Sequence, residues 1–190
     1  MLKKIKLAAV NSVVSLNDAK LHLRVDHSDD DALILWLIEA AKEQVENTTW
    51  TTLLRTTYTA YFNRFSSVMV LDDYPITEIT SIKYYNSEGV LTTVDQSTYF
   101  TDLISTPSII IFKDGTPTTQ HLRPNAVEIE YKAGYINTNA IPSSLKSAIL
   151  LMIGHWYEHR EDIVIGSTTT EVPISSKSLM NNFRKNRFTA

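Results

Sequence analysis

The segment Pro142-Ser-Ser-Leu-Lys-Ser-Ala-Ile-Leu-Leu-Met-Ile-Gly-His-Trp156 decides the fold, because it predicts a long helix with a wide apolar surface. Pro142 suits the first helical turn, where its missing N–H would be unpaired in any case. Residues spaced by three and four positions share one face, namely Leu145, Ala148, Ile149, Met152 and Trp156. Leu150, Leu151 and Ile153 cover much of the remaining circumference. The apolar surface therefore exceeds what one packing partner needs.

The N-terminal part of the chain predicts two further helices. Ser15 is placed to cap a short helix through Lys20–Arg24, with Asp18 near the exposed amides of its first turn. The acidic run Asp26–Asp31 ends that helix and opens a second one, for which Ser28 is the expected N-cap.

The second helix, expected to run to about Asn47, is also apolar over much of its circumference. Its main stripe comprises Leu33, Trp36, Leu37 and Ala40, and beside it lie Ile34, Ile38, Ala41 and Val45. A helix of this kind is either central in its own core or shared with a neighbouring subunit. Two such helices in a chain of 190 residues are a first indication of an oligomer.

Between these helices, from Leu53 to about Ile136, the hydrophobic period changes to two, which predicts strands. The expected strands are 57–62, 67–71, 79–85, 90–94, 109–112 and 126–131, with a glycine-containing hairpin turn at Asn86–Gly89. The chain is therefore predicted to be α+β, with a helical core formed by the N- and C-terminal helices and an inserted antiparallel β-sheet or small barrel. The expected boundaries are 1–50 for the N-terminal helices, 51–137 for the β insert, and 138–190 for the C-terminal helices and tail.

Composition and charge exclude several classes of protein. The absence of cysteine excludes disulfides and thiolate metal sites. No apolar run approaches the roughly 20 residues of a membrane span, so no membrane partner is expected. A net charge of −3 argues against a surface built to neutralise DNA phosphates. The C-terminal tail is the exception, because it is basic without acidic residues, and it is either a frayed terminus or an arm for an acidic partner.

The sequence His155-Trp-Tyr-Glu-His159 fits the H-x-x-E-H pattern of zinc metallopeptidases, in which two histidines one helical turn apart bind the metal. Catalytic zinc needs a third protein ligand, and the downstream candidates are only Glu161, Asp162 and Glu171. Both histidines also lie near the apolar stripe, where hydrogen-bonded core or interface histidines are common. We therefore expect packing, with no cofactor and no metal.

Other chemical motifs are absent from the sequence. There is no phosphate-binding loop, dinucleotide-binding turn or serine nucleophile elbow. The acidic run at Asp26 lacks the glycine and glutamate of an EF-hand loop. Five tyrosines could form a stacking platform for single-stranded nucleic acid, namely Tyr58, Tyr61, Tyr84, Tyr85 and Tyr131. Few basic residues lie between these tyrosines, so cross-strand packing is the favoured interpretation.

Two sets of motifs carry a family resemblance. The N-terminal set is Ser15-Leu-Asn-Asp-Ala-Lys-Leu-His-Leu-Arg-Val-Asp26 followed by Asp31-Ala-Leu-Ile34. The C-terminal set is Pro142-Ser-Ser-Leu-Lys-Ser-Ala-Ile-Leu-Leu151, then His155-Trp-Tyr-Glu-His-Arg-Glu161 and Val172-Pro173. As an ordered set these motifs resemble the head–tail connector proteins of tailed bacteriophages, also called adaptor or head-completion proteins. The resemblance covers about half of the chain, and the middle looks like the larger insert of one branch of that family.

The resemblance implies a structural virion protein and no enzyme. Such subunits, made in the bacterial cytoplasm, form a homo-oligomeric ring, commonly a dodecamer, beneath the portal protein in the virion neck. The ring extends the channel for double-stranded DNA without sequence-specific binding, and it docks a stopper or tail protein. The wide helices would then pack between subunits through Trp36, Ile38, Leu150, Leu151 and Trp156. The basic tail would dock on the portal through Phe183, Arg184, Lys185 and Arg187.

Two alternatives remain beside the connector. A stopper or tail-terminator subunit would serve the same neck, but such proteins tend to have a β core throughout, which the helix after Pro142 disfavours. A zinc metallopeptidase using the H-x-x-E-H motif is the other alternative.

Overall fold

The computed structural model describes residues 2–7, 11–159 and 174–184 of the chain. The helices are α1 (Leu16–Leu23), α2 (Asp31–Thr49), α3 (Ser143–Glu158) and α4 (Ile174–Asn181). The strands are β1 (Leu2–Leu7), β2 (Thr56–Phe62), β3 (Val68–Leu71), β4 (Ile76–Tyr85), β5 (Leu91–Thr93), β6 (Tyr99–Asp102), β7 (Ser108–Phe112) and β8 (Val127–Ala133). The predicted α+β fold is confirmed.

The chain forms two compact units. The β unit comprises β1 together with Arg55–Tyr135, and the helical unit contains α1 to α4. Residues 1–50 were expected to belong with the helices, but β1 pairs with β2 of the β unit. This strand is difficult to predict, because LKKIKL is short and basic. Its stabilising partners Asp73 and Glu130, which bind Lys3 and Lys6, lie far along the sequence.

The β unit contains two antiparallel sheets that share one apolar core. The larger sheet has the strand order β1-β2-β8-β4-β5, and the smaller one has the order β3-β7-β6. Residues of both sheets meet in the core, among them Ile82 and Ile129 of the larger sheet and Met69 and Ile110 of the smaller one. Across β2 and β8, the rings of Tyr58 and Tyr131 stack with centroids 5.8 Å apart. Cross-strand packing is therefore confirmed for these two tyrosines.

The predicted hairpin is confirmed between β4 and β5. The side-chain Oδ1 of Asn86 accepts hydrogen bonds from the backbone N–H groups of Glu88 at 3.0 Å and Val90 at 2.9 Å. Gly89 has φ of 79°, in the left-handed region that a side chain disfavours. Strand β6 was missed, because it is only four residues long and its two aromatic residues precede two polar ones without alternating with them. It forms because β7 presents a partner edge.

The helical unit confirms one predicted cap and corrects another. The Ser15 hydroxyl accepts the Asp18 N–H at 3.0 Å, as expected. The prediction that Ser28 caps α2 was wrong, since the N-cap position is Asp30. The Asp30 carboxylate does not cap the helix either, because it accepts the hydroxyl of Tyr157 on α3 at 2.5 Å. The Asp30 side chain thus forms a tertiary contact with α3 in place of a local hydrogen bond that would cap α2.

One partly buried carboxyl group in this unit should lower stability at neutral pH. Burial raises the pKa of Glu46, although its Oε1 accepts the Leu53 N–H at 2.7 Å. Because the pKa is higher in the folded state than in the unfolded chain, the free energy of unfolding falls as pH rises from the unfolded-state pKa through the folded-state pKa. Glu46→Gln keeps an acceptor for the Leu53 N–H and removes the ionisation. We expect it to raise the free energy of unfolding at pH 7 and to change it little at pH 4, as measured by urea unfolding.

The exposed Glu43 on the same helix supplies the matched control, Glu43→Gln. Equal stabilisation by both substitutions would show that general helix charge, rather than burial of Glu46, is the cause.

Candidate assembly surfaces

The C-terminal basic segment begins where α4 ends. Met180 in the last turn of α4 is buried, and its carbonyl accepts the Phe183 N–H at 2.9 Å. The side chain of Phe183 is partly exposed and that of Arg184 is exposed. The other two predicted docking residues, Lys185 and Arg187, lie outside the described residues. The structure therefore leaves Arg184 accessible beside a helix end that is anchored by Met180.

The residues predicted to pack between subunits have different environments in the helical unit. Trp36 on α2 is 74% exposed, which is exceptional for so large an apolar side chain. Leu150, Leu151 and Trp156 on α3 are partly buried. The assignment of Ile38 is corrected, because this side chain is 1% exposed and packs inside its own subunit. The apolar surface of α2 is therefore divided: one side packs in the core of its own subunit, and Trp36 remains on the surface.

Polar contacts hold the first turn of α2 against its neighbours. Lys20 of α1 forms an ion pair with Asp31 at 2.7 Å. The preceding residue, Asp30, binds Tyr157 of α3 as described above. Since Trp36 lies little more than one turn further along α2, its position is fixed by these contacts and by the buried Ile34 and Ile38 on either side of it. The exposed indole is thus presented by a rigid element.

The H-x-x-E-H motif lies at the C-terminal end of α3. The rings of His155 and His159 stack on each other with centroids 4.7 Å apart and an interplanar angle of 29°. The Nδ1 of His159 lies 3.0 Å from the His155 carbonyl oxygen. Glu161, Asp162 and Glu171, the candidate third ligands, fall outside the described residues. Among the residues that are described, no group of three potential ligands could hold a metal ion.

The β unit exposes apolar residues that were not singled out from the sequence. Val68, Ile111 and Phe100 are cross-strand neighbours on β3, β7 and β6, and all three side chains are exposed. The outward face of the smaller sheet is therefore apolar, like its inward face. The signal was the run Ile109-Ile-Ile111, which lacks the alternation of a sheet with one solvated face.

The outer face of the larger sheet is polar by comparison. A groove there is lined by residues of both charges, including Lys4, Lys6, Glu128 and Glu130. Lys6 and Glu130 neutralise each other at 2.6 Å. No helix in the described part of the chain is long and apolar enough to cross a bilayer.

Exposed apolar residues on both units and an accessible arginine beside the end of α4 are typical of a protein that packs against other subunits in an assembly. A model of the family described as head completion protein matches residues 12–180. The chain belongs to the head completion protein family, which confirms the resemblance carried by its terminal motifs.

Solved structures share the fold along nearly the whole chain. A chain in the neck of the native gene transfer agent particle, computed with C12 symmetry, is 22% identical with a TM-score of 0.78, covering 98% of this chain and 97% of that one. A chain in the neck of the empty particle, computed with C6 symmetry, is 21% identical with a TM-score of 0.77 and the same coverage. A chain in the virion of the native particle is 22% identical with a TM-score of 0.79. No curated protein matches the sequence.

Proposed function

We propose that this protein is a head–tail connector subunit in the neck of a tailed phage or phage-like particle. It joins a ring beneath the portal, extends the DNA channel, and provides a surface for the stopper or tail. The main support for this proposal is the family match over residues 12–180, and the fold shared with neck chains of the gene transfer agent adds to it. We assign it a structural role without catalysis.

A ring of identical subunits requires two different, complementary surfaces on each copy. The necks of the gene transfer agent were computed with C6 and C12 symmetry, and a dodecamer is the arrangement that we propose here. Trp36 of one subunit would pack against a neighbouring copy, with Leu150, Leu151 and Trp156 contributing from α3. The net charge of −3 suits a channel wall that lets double-stranded DNA pass without binding its sequence.

We propose that the segment from Phe183 onward docks on the portal, through Phe183, Arg184, Lys185 and Arg187. The structure sets where a truncation should fall, because α4 ends at Asn181 and Met180 is buried. A chain ending at Asn182 retains this core residue and removes all four docking residues. We expect it to fold with an unchanged circular dichroism spectrum and to lose binding to portal-bearing capsids, measured by co-sedimentation.

A charge variant separates docking from loss of chain length. Arg184→Glu in the full-length protein should weaken co-sedimentation, whereas Lys42→Glu, an equal charge change on α2, should not. Full binding by the truncated chain would show that the portal contact lies elsewhere, without affecting the assignment to the neck.

A further inference from the structure

Strand β1 forms an open edge of the β unit. It pairs with β2 on one side, and the sheet order ends with β1 on the other. Its apolar side chains Leu2, Ile5 and Leu7 are all exposed. It contains no acidic residue, and while Lys3 and Lys6 pair with Asp73 and Glu130, Lys4 forms no ion pair among the described residues. Among the described residues, this edge has open backbone groups and exposed apolar side chains, and both favour contact with a partner.

Strand β6 forms a second open edge, in the smaller sheet. Phe100 on this strand is 61% exposed and begins the apolar row that continues through Ile111 and Val68. In the loop after β6, the side chain of Ile104 is almost fully exposed. This edge thus offers an aromatic and aliphatic surface comparable in character to that of β1.

The charge around β6 is opposite to that of β1. Asp95, Asp102 and Asp114 lie on or beside this strand. Hydrogen bonds from Ser105 and Ile104 hold the pKa of Asp102 below its usual range, so its carboxylate stays charged at neutral pH. The neighbouring Lys113 is already engaged, with its Nζ 4.3 Å from the centre of the Phe100 ring and 2.6 Å from the Ser97 carbonyl oxygen.

The two edges lie on opposite sides of the β unit. Two residues after β3 ends, Asp73 binds Lys3 of β1, so the β3 side of the smaller sheet lies beside β1. At the other side, β6 follows β5 after a connection of only Val94–Thr98. The Val94 N–H donates to the Ile82 carbonyl of β4 at 2.8 Å, which holds this connection at the β4–β5 side. Opposite placement is what a head-to-tail contact between identical subunits requires.

We propose that the β1 edge of one subunit packs against the β6 edge of the next copy of this chain. This inference rests on the ring proposed above and assigns a role to the β unit within it. The apolar residues Leu2, Ile5 and Leu7 would cover Phe100 and Ile104, and Lys4, the β1 lysine without an ion pair among the described residues, would face the aspartates beside β6. Each copy thereby uses both edges, so the contacts continue around the ring.

The test is disulfide cross-linking of particles assembled with Ile5→Cys/Phe100→Cys as their only copy of this chain. Since the chain has no cysteine of its own, every cross-link within it reports the introduced pair. After oxidation, denaturing gels should show a ladder of multimers for the double variant and monomers for each single variant. The control pair Ile5→Cys/Asp29→Cys uses a side chain in the helical unit that is 90% exposed, and it should give no ladder.

A second variant is independent of cysteine geometry. Phe100→Asp alters an exposed side chain, so the monomer should fold, while incorporation into necks should fall at least roughly tenfold. If the chain is present in necks but the Ile5/Phe100 pair cross-links no better than the control, the β1–β6 contact is wrong and the connector assignment stands. Absence of the wild-type chain from particles would overturn both.

Discussion

A chain carrying Trp36→Glu should remain folded as a monomer and fail to form necks. The indole is 74% exposed on a helix held by Tyr157 and Lys20, so replacing it removes little intramolecular packing. A tryptophan at the centre of an interface typically contributes about 2–4 kcal/mol, and glutamate adds the cost of a buried charge. We therefore expect the affinity of each inter-subunit contact to fall by roughly 30-fold or more.

Two measurements check this result. Thermal unfolding of the isolated variant should resemble that of the wild type, and electron microscopy should show capsids without completed necks. Ile136→Glu provides the matched control, because Ile136 is an equally exposed aliphatic residue at 70% exposure. If both variants block assembly to the same degree, any charge added to the surface is disruptive and Trp36 has no special role. If neither does, α2 faces away from neighbouring subunits.

Asp73→Ala should destabilise the β unit by about 2–3 kcal/mol. The Asp73 carboxylate accepts the hydroxyl of the fully buried Tyr131 and binds Lys3 of β1 at 2.5 Å. Removing it leaves the phenol without an acceptor in the core, and Lys3 without its anion. The lysine is 38% exposed, so most of the cost comes from the phenol. Urea unfolding gives the loss in free energy.

The distinguishing signature lies in hydrogen exchange. The amides of β1 should exchange faster in Asp73→Ala. The amides of β8, at the centre of the larger sheet, should still exchange only through global unfolding. Tyr131→Phe removes the hydroxyl that needs an acceptor, so Asp73→Ala should cost at least about 1 kcal/mol less in that background. Additive losses in the double variant would rule out coupling between the two side chains.

The same cluster predicts a loss of stability in alkali. Burial, and then the nearby Asp73 carboxylate, raise the pKa of Tyr131 above its ordinary value near 10. The unfolded chain therefore releases this proton at a lower pH than the folded chain, so the stability present below pH 10 declines above it.

Local features of the sequence were sufficient to predict the helices and most of the strands. The Ser15 cap, the Asn86–Gly89 turn and the apolar spacing of α3 each act within a few residues, so the chain carries their signals directly. Ser28 failed as a cap because Asp30 has a partner 127 positions away. Ile38 failed as an interface residue because periodicity alone does not tell which part of a wide apolar helix is covered by its own fold.

By itself, the sequence determined the α+β class, the helix–strand–helix order of the main segments without β1 and β6, and the family, since terminal motifs and hydrophobic periods are properties of neighbouring positions. Only the tertiary structure decided which apolar residues stay exposed. The helix that begins at Asp31 has one face in the core and exposes Trp36 on another. The strand at Leu2–Leu7 is stabilised by the ion pairs of Lys3 with Asp73 and of Lys6 with Glu130. Exposure depends on what other segments cover, and that is set by contacts between residues far apart in the chain.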